Sequence, residues 1–204
     1  MNIRTLAVCL LLAFVSAMAF AQSETYRVKP IVYDPGATGT IVSQWVKHLG
    51  LQDPGETDNE NWGLLLSKNT ASPTNAAAFG QVVFACCGGN LNIKPLTELG
   101  FDIRNGGHCG SGSPRFNVIT SDKVNHFVGG CANDPAPTPI APGWQRVRFD
   151  PANPLQALPP VLPTDLVIKI YILADEGVDT GPDFSGVSIV DSIDVNGDLI
   201  GEPN

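Results

Sequence analysis

LVIKIYILADEGVDTGPDFSGVSIVDSIDVNG (Leu166–Gly197) is the stretch whose reading decides the fold. Two apolar, β-branched runs, Leu166–Ala174 and Val187–Val195, flank a Gly-containing acidic segment. Successive side chains on a strand point to opposite faces. In the first run Leu166, Ile168, Ile170 and Ile172 therefore share one face, and Val167, Lys169, Tyr171 and Leu173 share the other. The first row is expected to be core. Burying four such side chains contributes roughly 6–12 kcal/mol before entropy, at ~1.5–3 kcal/mol each. Asn196-Gly197 follows, between Val195 and Leu199. It predicts a type I′ hairpin, because both central positions of that turn need positive φ.

Runs of the same character recur upstream. They are Tyr26–Tyr33, Trp62–Ser67, Gln81–Ala85, Leu99–Arg104, Arg115–Thr120, Val124–Gly129 and Gln145–Phe149. About nine strands are thus expected, punctuated by 21 glycines and 17 prolines. Many short strands with turn chemistry between them predict an all-β, antiparallel β-sandwich. Ile41–Leu49 is the one segment with helical spacing, so at most one short helix is expected. Asp134–Pro142 and Pro151–Pro163 are Pro-rich and read as rigid loops, since strands resume after each.

The first residues have the form of a secretory signal. Arg4 precedes an apolar run from Leu6 to Ala17, and Ala19-Phe20-Ala21 presents small residues for cleavage before Gln22. The run is short of the ~20 apolar residues that span a bilayer. The expectation is a signal peptide over 1–21, a single sandwich domain over 22–204, and export to the periplasm or medium. With 20 Asp and Glu against 12 Lys and Arg, the formal net charge is −8. No basic patch exists to neutralise phosphates, which argues against nucleic acid and anionic membrane surfaces as partners.

Cys86, Cys87, Cys109 and Cys131 remain after cleavage. Oxidising compartments permit disulfides, and four cysteines allow three connectivities. Cys109 and Cys131 flank a predicted hairpin, which favours that bond. Cys86 and Cys87 are then left to bridge each other, to stay as thiols or to pair between chains. One adjacent pair does not make the two separated ligand pairs of a zinc site.

Three segments together resemble a known group. They are LGFDIRNGGHCGSGSPRFNVIT (Leu99–Thr120), HFVGGC (His126–Cys131) and DEGVDTGPDFSGVSIVDSIDVNG (Asp175–Gly197). Over about 27–201 the chain is similar to secreted bacterial proteins, mostly of unknown function, that look like galactose-binding-type jelly rolls. The resemblance implies a jelly-roll order and a recurring Cys109–Cys131 pair. Carbohydrate-binding modules share this architecture, so it implies an extracellular glycan as partner, by fold analogy alone.

Two constellations are candidates for chemistry. In GWQRVRF (Gly143–Phe149), Val147 and Phe149 share one face while Trp144, Arg146 and Arg148 share the other. With Asn117 these three form a candidate ligand face for a sugar or carboxylate. The competing reading is a solvated strand face with a cross-strand ion pair. Asp175, Glu176, Asp179 and Asp183 crowd one acidic loop. Such carboxylates repel unless neutralised, and Ca²⁺ takes 6–8 oxygens in flexible geometry, so the loop is a candidate structural calcium site. The competing reading is Asx turns beside glycine. Asp194–Asp198 is not an EF-hand loop, because its sixth position is Leu199 and its twelfth falls past Asn204.

No nucleophile motif is present. His108 adjoins Cys109 and Ser111, but G-x-S-x-G is absent. His126 lies in a predicted strand, and Asp102 is expected to pair with Arg104 or Arg115. The expected function is therefore a secreted, non-catalytic sandwich that binds carbohydrate, with a structural calcium ion. Two other readings stand beside it. One is a structural or adhesive surface protein, bridged through Cys86 and Cys87. The other is a calcium-dependent polysaccharide-active enzyme using the acidic loop with His108 or His126.

Overall fold

The computed structural model describes residues 25–52, 61–68, 76–133, 135–176 and 186–203. The signal sequence expected over 1–21 lies outside them. Among the described residues there are thirteen strands and no helix. They are β1 (Tyr26–Tyr33), β2 (Ile41–Lys47), β3 (Trp62–Lys68), β4 (Ala77–Phe84), β5 (Leu99–Arg104), β6 (Arg115–Thr120) and β7 (Asn125–Val128). Then follow β8 (Thr138–Ala141), β9 (Trp144–Phe149), β10 (Ala157–Leu158), β11 (Val167–Ala174), β12 (Val187–Val195) and β13 (Asp198–Ile200).

These strands make two antiparallel sheets. One has the order β1-β4-β11-β6-β7-β10, the other β2-β3-β12-β5-β9-β8 with β13 paired to β12. From β3 onward, successive strands of four or more residues cross between the sheets, apart from the β6–β7 and β8–β9 hairpins. The resulting four-strand cores, β3-β12-β5-β9 and β4-β11-β6-β7, are a jelly roll, with β1 and β2 added as one strand per sheet. Antiparallel neighbours with one face packed inward need apolar residues only at alternate positions. That is the pattern of the predicted runs.

Phe101, Phe116 and Phe149 meet at the centre of the core, with ring centroids 5.8, 6.1 and 6.4 Å apart. Phe101 and Phe149 come from one sheet and Phe116 from the other. Leu64, Leu66, Val118, Ile170, Ile172, Val190 and Ile193 extend this cluster. Gly129, at φ 86°, lies under the Phe149 ring, where a Cβ would collide with the aromatic carbons.

Three expectations are corrected. Ile41–Leu49 is not a helix, because β2 occupies Ile41–Lys47. Its alternate residues Ser43 and Trp45 reach across the sandwich. Ser43 Oγ donates to the Phe79 carbonyl (2.5 Å) and Trp45 Nε1 to the Val28 carbonyl (2.9 Å). Leu166 and Ile168 are not core. A bulge between Val167 and Lys169 shifts the register of β11 against β6. An extra residue on one strand reverses the alternation on that side of the bulge. Val167, Ile170, Ile172 and Ala174 form the buried row, while Leu166 and Ile168 stay partly exposed. The Pro-rich loops also carry pairing. β8 and β10 sit at sheet edges, where proline's missing N–H is tolerated. The hairpin expected at Asn196-Gly197 is present: both residues have positive φ (56° and 90°), and Val195 pairs with Asp198.

Among the described residues, no helix is long and apolar enough to cross a membrane.

Candidate functional site

On the outer face of the seven-stranded sheet, Gly100, Asp102 and Arg104 of β5 alternate with the core residues Leu99, Phe101 and Ile103. The register of β5 with β9 sets Arg148 opposite Gly100, Arg146 opposite Asp102 and Trp144 opposite Arg104. Arg146 donates from Nε and Nη2 to the two Asp102 oxygens, each at 2.9 Å. Arg148 Nη1 reaches Asp102 at 3.3 Å, and its Nε reaches Asp194 at 2.8 Å. Gly100 makes this possible, because an added Cβ would collide with Arg148 Cδ. Asp102 is fully buried and Asp194 nearly so.

The network perturbs its members. The hydrogen bond to Asp102 holds the Arg146 guanidinium above its ordinary pKa. Burial, then a hydrogen bond with Asp194, pushes the Glu98 carboxyl up.

The four expected ligand residues do not form one face. Trp144 is outward in parity but only 7% exposed. Arg146 and Arg148 are engaged by Asp102 and Asp194. Asn117 lies on β6 in the opposite sheet, where it accepts from Arg115 Nε (3.2 Å). Asp102 pairs with Arg146 and Arg148 rather than with Arg104 or Arg115.

Beside this network is an open groove of about 280 Å³, lined by Arg104, Asn105, Gly106, Gly107, Val187 and Ile189. The chain turns out of β5 here. Asn105 N donates to the Gly143 carbonyl (2.8 Å), and Gly106 has φ 84°. Gly107 lies against β12, where a Cβ would stand 2.8 Å from the Val187 carbonyl oxygen. Unlike Arg146 and Arg148, Arg104 is exposed and makes no ion pair among the described residues. The groove thus presents a guanidinium, a carboxamide and two aliphatic side chains. The signal in the sequence was the outward parity of Arg104 followed by Asn-Gly-Gly. It carried no weight because the wall formed by β12 is distant in the chain.

The acidic segment begins at the end of β11. Asp175 receives two bonds from Arg115, at 2.7 and 2.6 Å, and its carbonyl accepts from Lys68 Nζ (2.7 Å). Glu176 Oε2 lies 2.5 Å from Nε2 of the buried His108. Side chains at Gly110 or Gly112 would intrude on the Glu176 carboxylate. Two of the four expected calcium ligands therefore face Arg115 and His108. Asp179 and Asp183 lie outside the described residues. Among the described residues there is no group of three or more His, Cys, Asp or Glu able to hold a metal ion. His126 is buried, with Nδ1 donating to the Pro159 carbonyl (2.9 Å) and Nε2 3.2 Å from Thr120 Oγ1.

The Cys109–Cys131 disulfide is formed and ties the β5–β6 connection to the segment after β7. Cys86 and Cys87 are exposed thiols. No protein-family model matches this chain, and neither a curated protein nor a solved structure matches it.

Proposed function

We propose that this chain is an exported, non-catalytic jelly roll that binds an extracellular ligand of the carbohydrate class in the groove beside Arg104 and Asn105. The observation that carries the reading is the exposed Arg104 guanidinium at a groove whose neighbouring arginines are engaged by carboxylates. A guanidinium and a carboxamide offer several donors and one acceptor, which suit the paired hydroxyls of a sugar. Val187 and Ile189 offer aliphatic surface to the C–H face of a ring. A small number of placed polar groups on an apolar lining is the usual composition of a ligand site. The resemblance to galactose-binding-like jelly rolls points the same way.

The test is a glycan array followed by calorimetry, with calcium and with a chelator. Binding by the wild type that is lost in Arg104→Ala and Asn105→Ala, at unchanged melting temperature, is expected. Binding indifferent to both substitutions, or no glycan bound, overturns the reading. Loss of binding in the chelator alone would assign calcium a part in it.

A further inference from the structure

The turn that follows β4 lies outside the groove and carries the adjacent Cys86 and Cys87. Ala85 N donates to the Thr25 carbonyl (2.9 Å), so sheet pairing runs up to the turn. Gly88 N donates to the Phe84 carbonyl (3.0 Å) and closes it. Gly88 and Gly89, at φ 64° and 89°, then turn the chain away, a conformation that glycine adopts without steric cost. Both thiols are exposed, and their Sγ atoms lie 2.7 Å apart. A disulfide bond is ~2.05 Å long, so closure needs a movement of under about 1 Å. The Cys86 thiol beside it pushes the Cys87 pKa up.

We propose that Cys86 and Cys87 are a redox-active dithiol that closes to an internal bridge by exchange with a small-molecule or protein disulfide. The Cys86 thiolate attacks one sulfur of the external disulfide. A mixed disulfide forms and one external thiolate leaves. Cys87 then loses its proton and attacks Cys86 Sγ, forming the bridge and expelling the second external thiolate. Cys86 and Cys87 are oxidised by two electrons together, and the external disulfide is reduced to two thiols. Cys131, buried beneath its own bridge to Cys109, takes no part.

The chain beginning at Gln22, which leaves out Cys9, is equilibrated in glutathione buffers of rising disulfide fraction, quenched with acid, alkylated and weighed. The wild type is expected to lose both alkylatable thiols in one step, as a monomer carrying no glutathione. Cys87→Ser is expected to retain one glutathione on Cys86. Glutathione adducts persisting on the wild type, a covalent dimer, or two free thiols at the most oxidising ratio would overturn the proposal. Phenylarsine oxide, which joins two neighbouring thiols with loss of water, gives a second measurement. One equivalent is expected on the reduced wild type and none on Cys86→Ser, Cys87→Ser or the oxidised wild type. No uptake by the reduced wild type counts against a paired site.

Discussion

Two clusters of opposite charge occupy different parts of the molecule, and they differ in what holds them. On the outer face of the seven-stranded sheet, Asp102 receives Arg146 and Arg148 from the neighbouring strand and has no solvent exposure. At the start of the acidic segment, Asp175 and Glu176 keep 30% and 40% of their side-chain surface in water while paired to Arg115 and His108. The pairing chemistry is similar. In the first cluster a strand ladder fixes the partners, and the carboxylate is shut off from water. In the second the partners come from connections and a strand end, so water reaches them. Desolvation raises the cost of breaking a pair. The sheet cluster should therefore act as a structural keystone, and the loop cluster as a tether with modest energy.

The largest effect expected from this contrast comes from Arg146→Ala with Arg148→Ala. The double variant leaves Asp102 buried without a cation, and the expected loss is about 3–5 kcal/mol in urea unfolding. A loss below about 1 kcal/mol would remove the distinction between the clusters. Next comes Cys109→Ser with Cys131→Ser, which frees the connection that carries His108. The bridge spans a sequence separation of 22 residues. Chain entropy gives a loss of about 3 kcal/mol for a loop of that size, read from the shift in the urea midpoint. Arg115→Met comes third. It removes both bonds to the half-exposed Asp175 and is expected to cost about 1–2 kcal/mol, since solvent screens the pair. A loss as large as that of the double arginine variant would show that the tether is buried in effect.

The smallest effect is a pH dependence at the margin of the sheet cluster. The Glu98 carboxyl is held above its ordinary value of 4.5, first by burial and then by Asp194. A carboxyl whose folded pKa is raised binds its proton more tightly when folded. Its contribution is present below 4.5 and is lost as pH rises through the folded value. Melting temperature should therefore decline slightly across the window just above pH 4.5, and Glu98→Gln should flatten that decline. An unchanged slope in the variant would place its cause elsewhere.

Much of the fold was legible because a half-buried strand announces itself by alternation. β1, β5, β6 and β12 occupy the runs predicted for them, and the Asn196-Gly197 hairpin follows from a dipeptide that tolerates its geometry. The misreadings have particular causes. β2 looked helical because Ser43 interrupts its apolar row, yet that hydroxyl bonds a carbonyl on the facing sheet. The β11 row slipped because a bulge is a property of the strand pair, and one strand's sequence does not display it. The parity of Arg146 and Arg148 was correctly outward. Whether that face met ligand or carboxylate was not readable from β9, because Asp102 lies 44 residues before Arg146.

The sequence by itself determined nine of the thirteen strands, the outward face of β9 and the Cys109–Cys131 pair. These depend on local alternation and turn chemistry, which act over a few residues. Only the tertiary structure decided that Trp144 is packed, that two arginines are engaged and one is exposed, and that a groove opens between the β5–β6 connection and β12. Each of these is set by what lies across the sheet, and register joins residues that the chain keeps far apart.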